Sequence, residues 1–288
     1  MFFIIGFVVV FGSVVGGYLA LGGHLDVLWQ PFEFVIIGGA ALGSFFVGNT
    51  KRIISGVAGN IGKIVKGPKY KKSDYLELLS IMYSLFRLAK SKGDLALEGH
   101  VERPAESNIF NRYPSFASDH HMVEFACDYL RLLTLGATTS HEIEAVMDLE
   151  METHHNEEHD IAGAVATLGD AFPALGIVAA VLGVIHTMGS ITEPPEVLGH
   201  LIGGALVGTF FGILMSYGLV SPMASMLQKV FTADSKYVEC IKTGIIAHMQ
   251  GYAPQVSVEF ARKVLNGDVR PSFAELEEFL QNIPPEAQ

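Results

Sequence analysis

The chain separates its charges by position in a way that few folds tolerate. All 19 lysine and arginine residues fall either between Lys51 and Arg131 or from Lys229 onward, which leaves residues 1–50 and 169–228 with none. A water-soluble domain spreads bases over its whole surface. Long base-free tracts, in a chain that is half apolar and only 17% charged, indicate segments that sit in hydrocarbon. Four charge-poor stretches can be drawn, Phe2–Gly22, Phe34–Thr50, Ala171–Ser190 and Leu201–Leu227. A spanning helix needs about 20 apolar residues, with about 17 as the lower end. The first, third and fourth stretches qualify easily and the second is marginal. Trp29, Phe32 and Phe34 flank the second with aromatic rings suited to a membrane–water boundary.

The bases also orient the spans. A cluster from Lys51 to Lys72 directly follows the second span, which assigns that side to the cytoplasm. The turns at 23–33 and 191–200 carry Asp26, Glu33, Glu193 and Glu196 but no base, so they are expected to face outward. Both termini and the long segment between the second and third spans then lie inside. The first span has no basic leader and is followed by another span, so it reads as an anchor rather than a cleaved signal. Cys127 and Cys240 fall on the reducing cytoplasmic side, without metal-type spacing.

Between and after the spans the chain is polar and helical in pattern. Helix-start signals stand at Asp74 with Glu77, at Asp94 after Gly93, at Thr139 with Glu142, and at Ser272 with Glu275. The stretch 104–118 is expected to be a loop, and nothing alternates with strand period for long. The expected fold is therefore an all-α membrane protein with four transmembrane helices, a large helical cytoplasmic segment between helices two and three, and a helical cytoplasmic C-terminal tail. The corresponding boundaries are 1–50, 51–168, 169–228 and 229–288.

Within the spans the informative residues are small or helix-breaking. Gly204, Gly208 and Gly212 recur every four residues in the fourth span, with Gly12 and Gly16 in the first and Gly39 and Gly43 in the second. Such spacing lets helices approach closely in lipid. A single pair would serve only the chain's own packing; the same device in three spans suggests a dense bundle with neighbouring subunits. Pro173 and Pro222 sit near the cytoplasmic ends of the third and fourth spans, at comparable depth. Each removes a backbone donor and permits a bend.

The deep polar residues are Ser13, Ser44, Thr187, Thr209, Ser216 and Tyr217, with His186 toward the outer end. None is a carboxylate or a lysine. A cation path needs a titratable or coordinating group in the membrane, so the acid for such a path is expected from another polypeptide. His155 and His159 are one turn apart within "ETHHNEEHD", a spacing that can hold a metal. No HExxH motif accompanies them, and they read as a solvated helix end. No nucleophile–base set or phosphate loop appears, so no enzyme and no cofactor is expected. The formal net charge of −11 gives no reason to expect nucleic acid.

Several stretches in order, "LWQPFEFVIIGGAALGSFFVGN", "GDAFPALGIVAAVLGVIHTMGS", "ALVGTFFGILMSYGLVSPMASML", "GYAPQVSVEFARK" and "RPSFAELEE", resemble the MotA family of flagellar stator subunits over nearly the whole chain. The resemblance implies several copies surrounding a pair of MotB chains, whose single membrane helix carries the ion-binding aspartate. Pro173 and Pro222 match the family's functional prolines beside that aspartate, and Thr209 matches a polar position lining the ion site. Sodium-driven relatives carry a threonine where this chain has Ala180, which offers no oxygen ligand and favours protons. The family's cytoplasmic segment contacts the rotor protein FliG through charges. The matching positions are Lys90, usually arginine, with Glu98, with Arg87 one turn earlier sharing the role, and with Glu150 at a further acidic position. Residues alone would assign Lys90 and Glu98 to a solvated surface, worth at most about 1 kcal/mol. The implied location is the bacterial inner membrane. An ExbB- or TolQ-type energiser is the related alternative, but it usually has three spans and an outside N-terminus. A self-contained channel or transporter would need a buried coordinating group of its own.

Overall fold

The computed structural model describes residues 2–136 and 139–284, and the described residues contain helices and no strand. In chain order the helices are α1 (Phe2–Ala20), α2 (Leu25–Leu28), α3 (Pro31–Gly48), α4 (Lys51–Asn60), α5 (Lys63–Lys66), α6 (Lys72–Lys92), α7 (Glu98–Glu102), α8 (Pro114–Ala117), α9 (His120–Leu135), α10 (Ser140–Gly189), α11 (Pro195–Met215), α12 (Ser221–Met249), α13 (Pro254–Lys263) and α14 (Phe273–Gln281). Four segments are long and apolar enough to cross a membrane: Phe2–Ala20, Leu25–Gly48, and stretches within Ser140–Gly189 and Pro195–Met249. The all-helical, four-span fold expected from the charge pattern is what forms.

The chain divides into two compact units. The first comprises Met1–Gly67 and Asn156–Val230. Its surface inverts the soluble pattern. Phe2, Phe32 and Val47 are more than four-fifths exposed, while the buried positions are mostly small, among them Ala41, Ala179, Ala205, Gly204, Gly208 and Gly212. Small residues inside and large apolar ones outside is the arrangement that lipid selects, because packing rather than water exclusion then holds helices together. Next to the spans, Arg52 on α4 reaches Glu157 at 2.7 Å and Asp160 at 3.3 Å on α10.

The second unit, Pro68–His155 and Phe231–Gln288, is built as a soluble domain. Tyr75, Leu78, Leu79 and Phe86 of α6, with Phe110, Phe116, Tyr237 and Ile241, are almost fully buried in one core. Tyr70 stacks on Tyr237 with ring centroids 3.8 Å apart, and its hydroxyl donates to Asp119 at 2.7 Å. Ser272 and Glu275 form the expected capping box at α14. Lys72 donates to Glu275 at 2.7 Å, and this contact together with the Ser272 cap holds the Glu275 carboxyl down at about 2. Thr139 and Glu142 likewise bond reciprocally at the start of α10.

Three expectations are corrected. α6 starts at Lys72, so Asp74 is its third residue and accepts from the Lys71 amide at 2.7 Å from inside the helix; Glu77 instead accepts from Ser115 at the start of α8. Pro31, not Phe34, opens α3, the long helix of the second span, since proline's fixed φ suits a first helical position. The helix after Thr139 and the third span are a single element, α10, with Pro173 inside it; no breaker intervenes to separate them.

Candidate functional site

The first unit brings α10 and α11 together backbone against backbone. A Cβ on Gly176 of α10 would lie 3.0 Å from the Gly208 carbonyl and 3.3 Å from the Cα atoms of Thr209 and Gly212. One on Gly212 would lie 2.5 Å from the Phe172 carbonyl. Such contacts leave little or no room for a side chain, so Gly176, Gly208 and Gly212 make the seam, while Gly204 of the same row faces Gln30 instead. Thr209 turns its hydroxyl to the Gly176 carbonyl at 3.5 Å, a long bond that commits it weakly. Pro173 is one turn from Gly176 on the same helix. Its missing N–H deprives the Gly169 carbonyl of its usual helical partner. Gly169 packs on Ser221, whose Oγ would be 2.9 Å from a Cβ placed there. Pro222 thus lies about one turn, or roughly 6 Å, further along the pair than Pro173.

The approach to Pro222 contains a feature that the sequence did not disclose. Residues Ser216–Val220 form a π-helical turn between α11 and α12. Pro222 has no N–H to offer the carbonyl four residues back, and a wider turn is one way to accommodate that loss. Ser216 is fully buried, and its hydroxyl has no hydrogen-bond partner among the described residues. The edge carrying these groups is open: Pro222 is exposed, and Pro173, Thr209 and Ala180 are half-buried. Pro173, Thr209 and Gly212 are brought together, with Ala180 about two turns from Pro173 along α10.

The placing of Glu33 in the outward-facing turn 23–33 is corrected. Glu33 belongs to the first turn of α3, not to the preceding turn. Among the described residues its buried Oε2 has no hydrogen-bond partner, and it would lie 2.8 Å from a Cβ on Gly208. Its Oε1 would lie 3.5 Å from one on Gly183, and Gly183 is about 9 Å along α10 from the helix end at Gly189. Beside it the Gln30 amide fills the notch at Gly204, 3.2 Å from a notional Cβ. The signal was present in "QPFE": proline at the first helical position puts glutamate third, already inside the span.

In the second unit the predicted rotor-facing charges are placed as follows. Gly93, with φ of 87°, ends α6 in a conformation that favours glycine, and a 3₁₀ turn, Asp94–Leu97, leads into α7. Lys90 is exposed just before this bend and reaches the Gly251 carbonyl at 3.3 Å. Glu98 is exposed just after it. Arg87 is half-buried, donating to the Pro284 carbonyl at 2.7 Å and lying over the Tyr83 ring; it is the more committed of the two bases. Glu150 is exposed on α10 and accepts from Tyr129 at 2.5 Å. His248 stacks on Phe86 at 4.6 Å and approaches Asp94 at 3.7 Å. Burial lowers the His248 pKa, with Asp94 opposing that shift.

Four apolar helices, a glycine seam and an open proline-bearing edge define a polytopic membrane subunit built to pack against other helices. Comparisons with known proteins carry the assignment further. Residues 4–93 match the family Motility protein A N-terminal, and residues 117–239 match the MotA/TolQ/ExbB proton channel family. The chain is 45% identical to Motility protein A of Salmonella typhimurium over 98% of its length and 96% of the relative's, and equally so to that of Escherichia coli. It is 32% identical to the chemotaxis protein LafT of Vibrio parahaemolyticus over 96% of the chain and 97% of LafT. The fold also matches the solved structure of C. jejuni MotAB, with a TM-score of 0.77 at 21% identity, covering 94% of this chain and 98% of that one. The chain belongs to the Motility protein A branch of the MotA/TolQ/ExbB proton channel family.

Proposed function

We propose that this chain is the membrane-ring subunit of a flagellar stator, in which several copies enclose a pair of single-span MotB-like chains and convert a proton gradient into torque on the rotor. The observation that carries the reading is the 45% identity to Motility protein A along almost the entire chain, so that spans, seam and cytoplasmic unit are related together. The complex sits in the bacterial inner membrane, with both termini cytoplasmic and the α10–α11 loop outside. The partner supplies a membrane aspartate, which docks at the open edge formed by Pro173, Pro222 and Thr209.

Moving one charge through the membrane potential yields about 2.3 kcal/mol per 100 mV. Protonation of the partner's carboxylate removes its charge and with it the repulsion from the carbonyl oxygens freed by the two prolines, to which the acid O–H can then donate. The contact between ring and partner changes, and the ring moves. Lys90 and Glu98, flanking the Gly93 bend, pass that motion to charges on the rotor protein FliG, while Arg87 and Glu150 shape the same surface. Ala180 offers the path no oxygen, which favours a proton over sodium, and the subunit performs no catalysis and holds no resident cofactor.

The reading is tested by replacing Pro173 and Pro222 with alanine together. The complex should still assemble with its partner, judged by co-purification, and cells should lose motility. Swimming at the unmodified rate would refute it.

A further inference from the structure

The Glu33 carboxylate is the most conspicuous group that the stator reading leaves unused. It stands where three helices meet: Glu33 of α3, with Gln30 just before that helix, Ala179 and Gly183 of α10, and Gly204 and Gly208 of α11. The notch is made by absent side chains, since a Cβ at Gly208 would meet Glu33 Oε2 at 2.8 Å and the Ala179 Cβ at 3.1 Å. Gln30 donates its side-chain amide to the Val27 carbonyl at 3.1 Å. No lysine or arginine exists anywhere in residues 1–50 or 169–228 to neutralise it, and among the described residues nothing bonds Oε2.

A carboxylate oxygen buried with no partner among the described residues is costly as an anion, and taking up a proton relieves that cost. Ionisable groups retained at such positions are functional by default. Order along α10 gives the role. Starting from the α10–α11 loop, an ion meets Gly183 with Glu33, then Ala180, then Gly176 with Thr209, then Pro173. Glu33 is therefore passed before the level where the partner's acid docks.

We propose that Glu33 is a proton-binding site belonging to this chain, which takes a proton from the outer side and hands it inward to the partner's carboxylate. The inference rests on the stator reading. In the first step a hydronium protonates Glu33, leaving water and a neutral carboxylic acid. In the second, that acid gives its proton to the partner's carboxylate, directly or through water, and regenerates the anion. The two carboxyl groups exchange one proton, and no other reactant is consumed.

The test uses the complete complex in cells and in proteoliposomes. Glu33→Gln keeps the shape of the side chain, so co-purification with the partner should be unchanged. Tethered-cell or bead rotation at low load should then reach half-maximal speed only at an external pH about one unit lower, a tenfold higher proton concentration. Glu33→Asp, which still titrates, should recover part of that shift. In infrared difference spectra of the reconstituted complex on acidification, the carboxylic-acid C=O band should be reduced in Glu33→Gln and retained in Glu33→Asp. Unchanged rotation of Glu33→Gln at every external pH, with an unchanged band, overturns the proposal. So does a deficit that responds to external sodium at fixed pH and not to protons. The paired Pro173→Ala, Pro222→Ala variant, run alongside, separates the two ideas. Loss of motility there with a wild-type Glu33→Gln sinks this inference alone, whereas normal motility there removes the stator reading on which it rests.

Discussion

At the scale of single residues the seam depends on atoms that are missing. Gly212→Ala adds one methyl 2.5 Å from the Phe172 carbonyl, and that oxygen belongs to backbone, so the two helices must part. Overpacking of this kind costs about 1–3 kcal/mol. A lower thermal midpoint of the purified complex and weakened swimming are the expected results. Lys90 and Glu98 behave differently, because both are exposed and neither supports the core. Reversing both charges should leave expression and thermal midpoint within the small range usual for surface changes, about 0.5 kcal/mol, while impairing torque in a bead assay. Unaltered torque would return them to the ordinary solvated surface. Glu33 shows where reading residues alone went astray. Its place in the loop or in the span turned on a three-residue shift in a helix start, and charge counting places a residue on the wrong side of a boundary when the boundary itself is wrong.

Among the elements, α6 and α12 of the cytoplasmic unit carry the pH behaviour. His248 lies against Phe86, and burial is the main reason its pKa is lowered. A histidine that is harder to protonate when folded contributes stability that is full above its unfolded pKa of about 6.5. That contribution is lost as the pH falls from there through the depressed folded value. Melting of the solubilised protein should therefore weaken on acidification through this window, and His248→Asn should weaken less over the same range. Helix starts were legible where a reciprocal box exists, as at Thr139 with Glu142 and Ser272 with Glu275. They were misread at Asp74, since an acid can serve a helix start either as the cap or from the third position, and spacing does not separate these. The π turn before Pro222 was not legible at all; proline signals that a carbonyl will be freed, but not how the neighbouring turns absorb it.

For the whole molecule the central prediction concerns partnership. Proteoliposomes containing this chain alone should pass no more protons than empty vesicles, because a single copy offers only the edge of a path. Flux from the chain alone would dispense with the second polypeptide. The sequence by itself determined the class of fold, because transfer of charge into hydrocarbon is so unfavourable that the distribution of lysine and arginine dictates which segments span. Glycine spacing singled out Gly208 and Gly212, which are in close contact, but not their partners Gly176 and Gly183, and a Cβ on Gly12, Gly16, Gly39 or Gly43 would meet nothing within 4 Å. Only the tertiary structure decided which glycines face which neighbours, and that the room left by Gly183 and Gly208 is taken up by a carboxylate from a third helix. Such a pairing joins residues about 150 or more positions apart, and no local pattern encodes it, because the energy that fixes it comes from three helices packing at once.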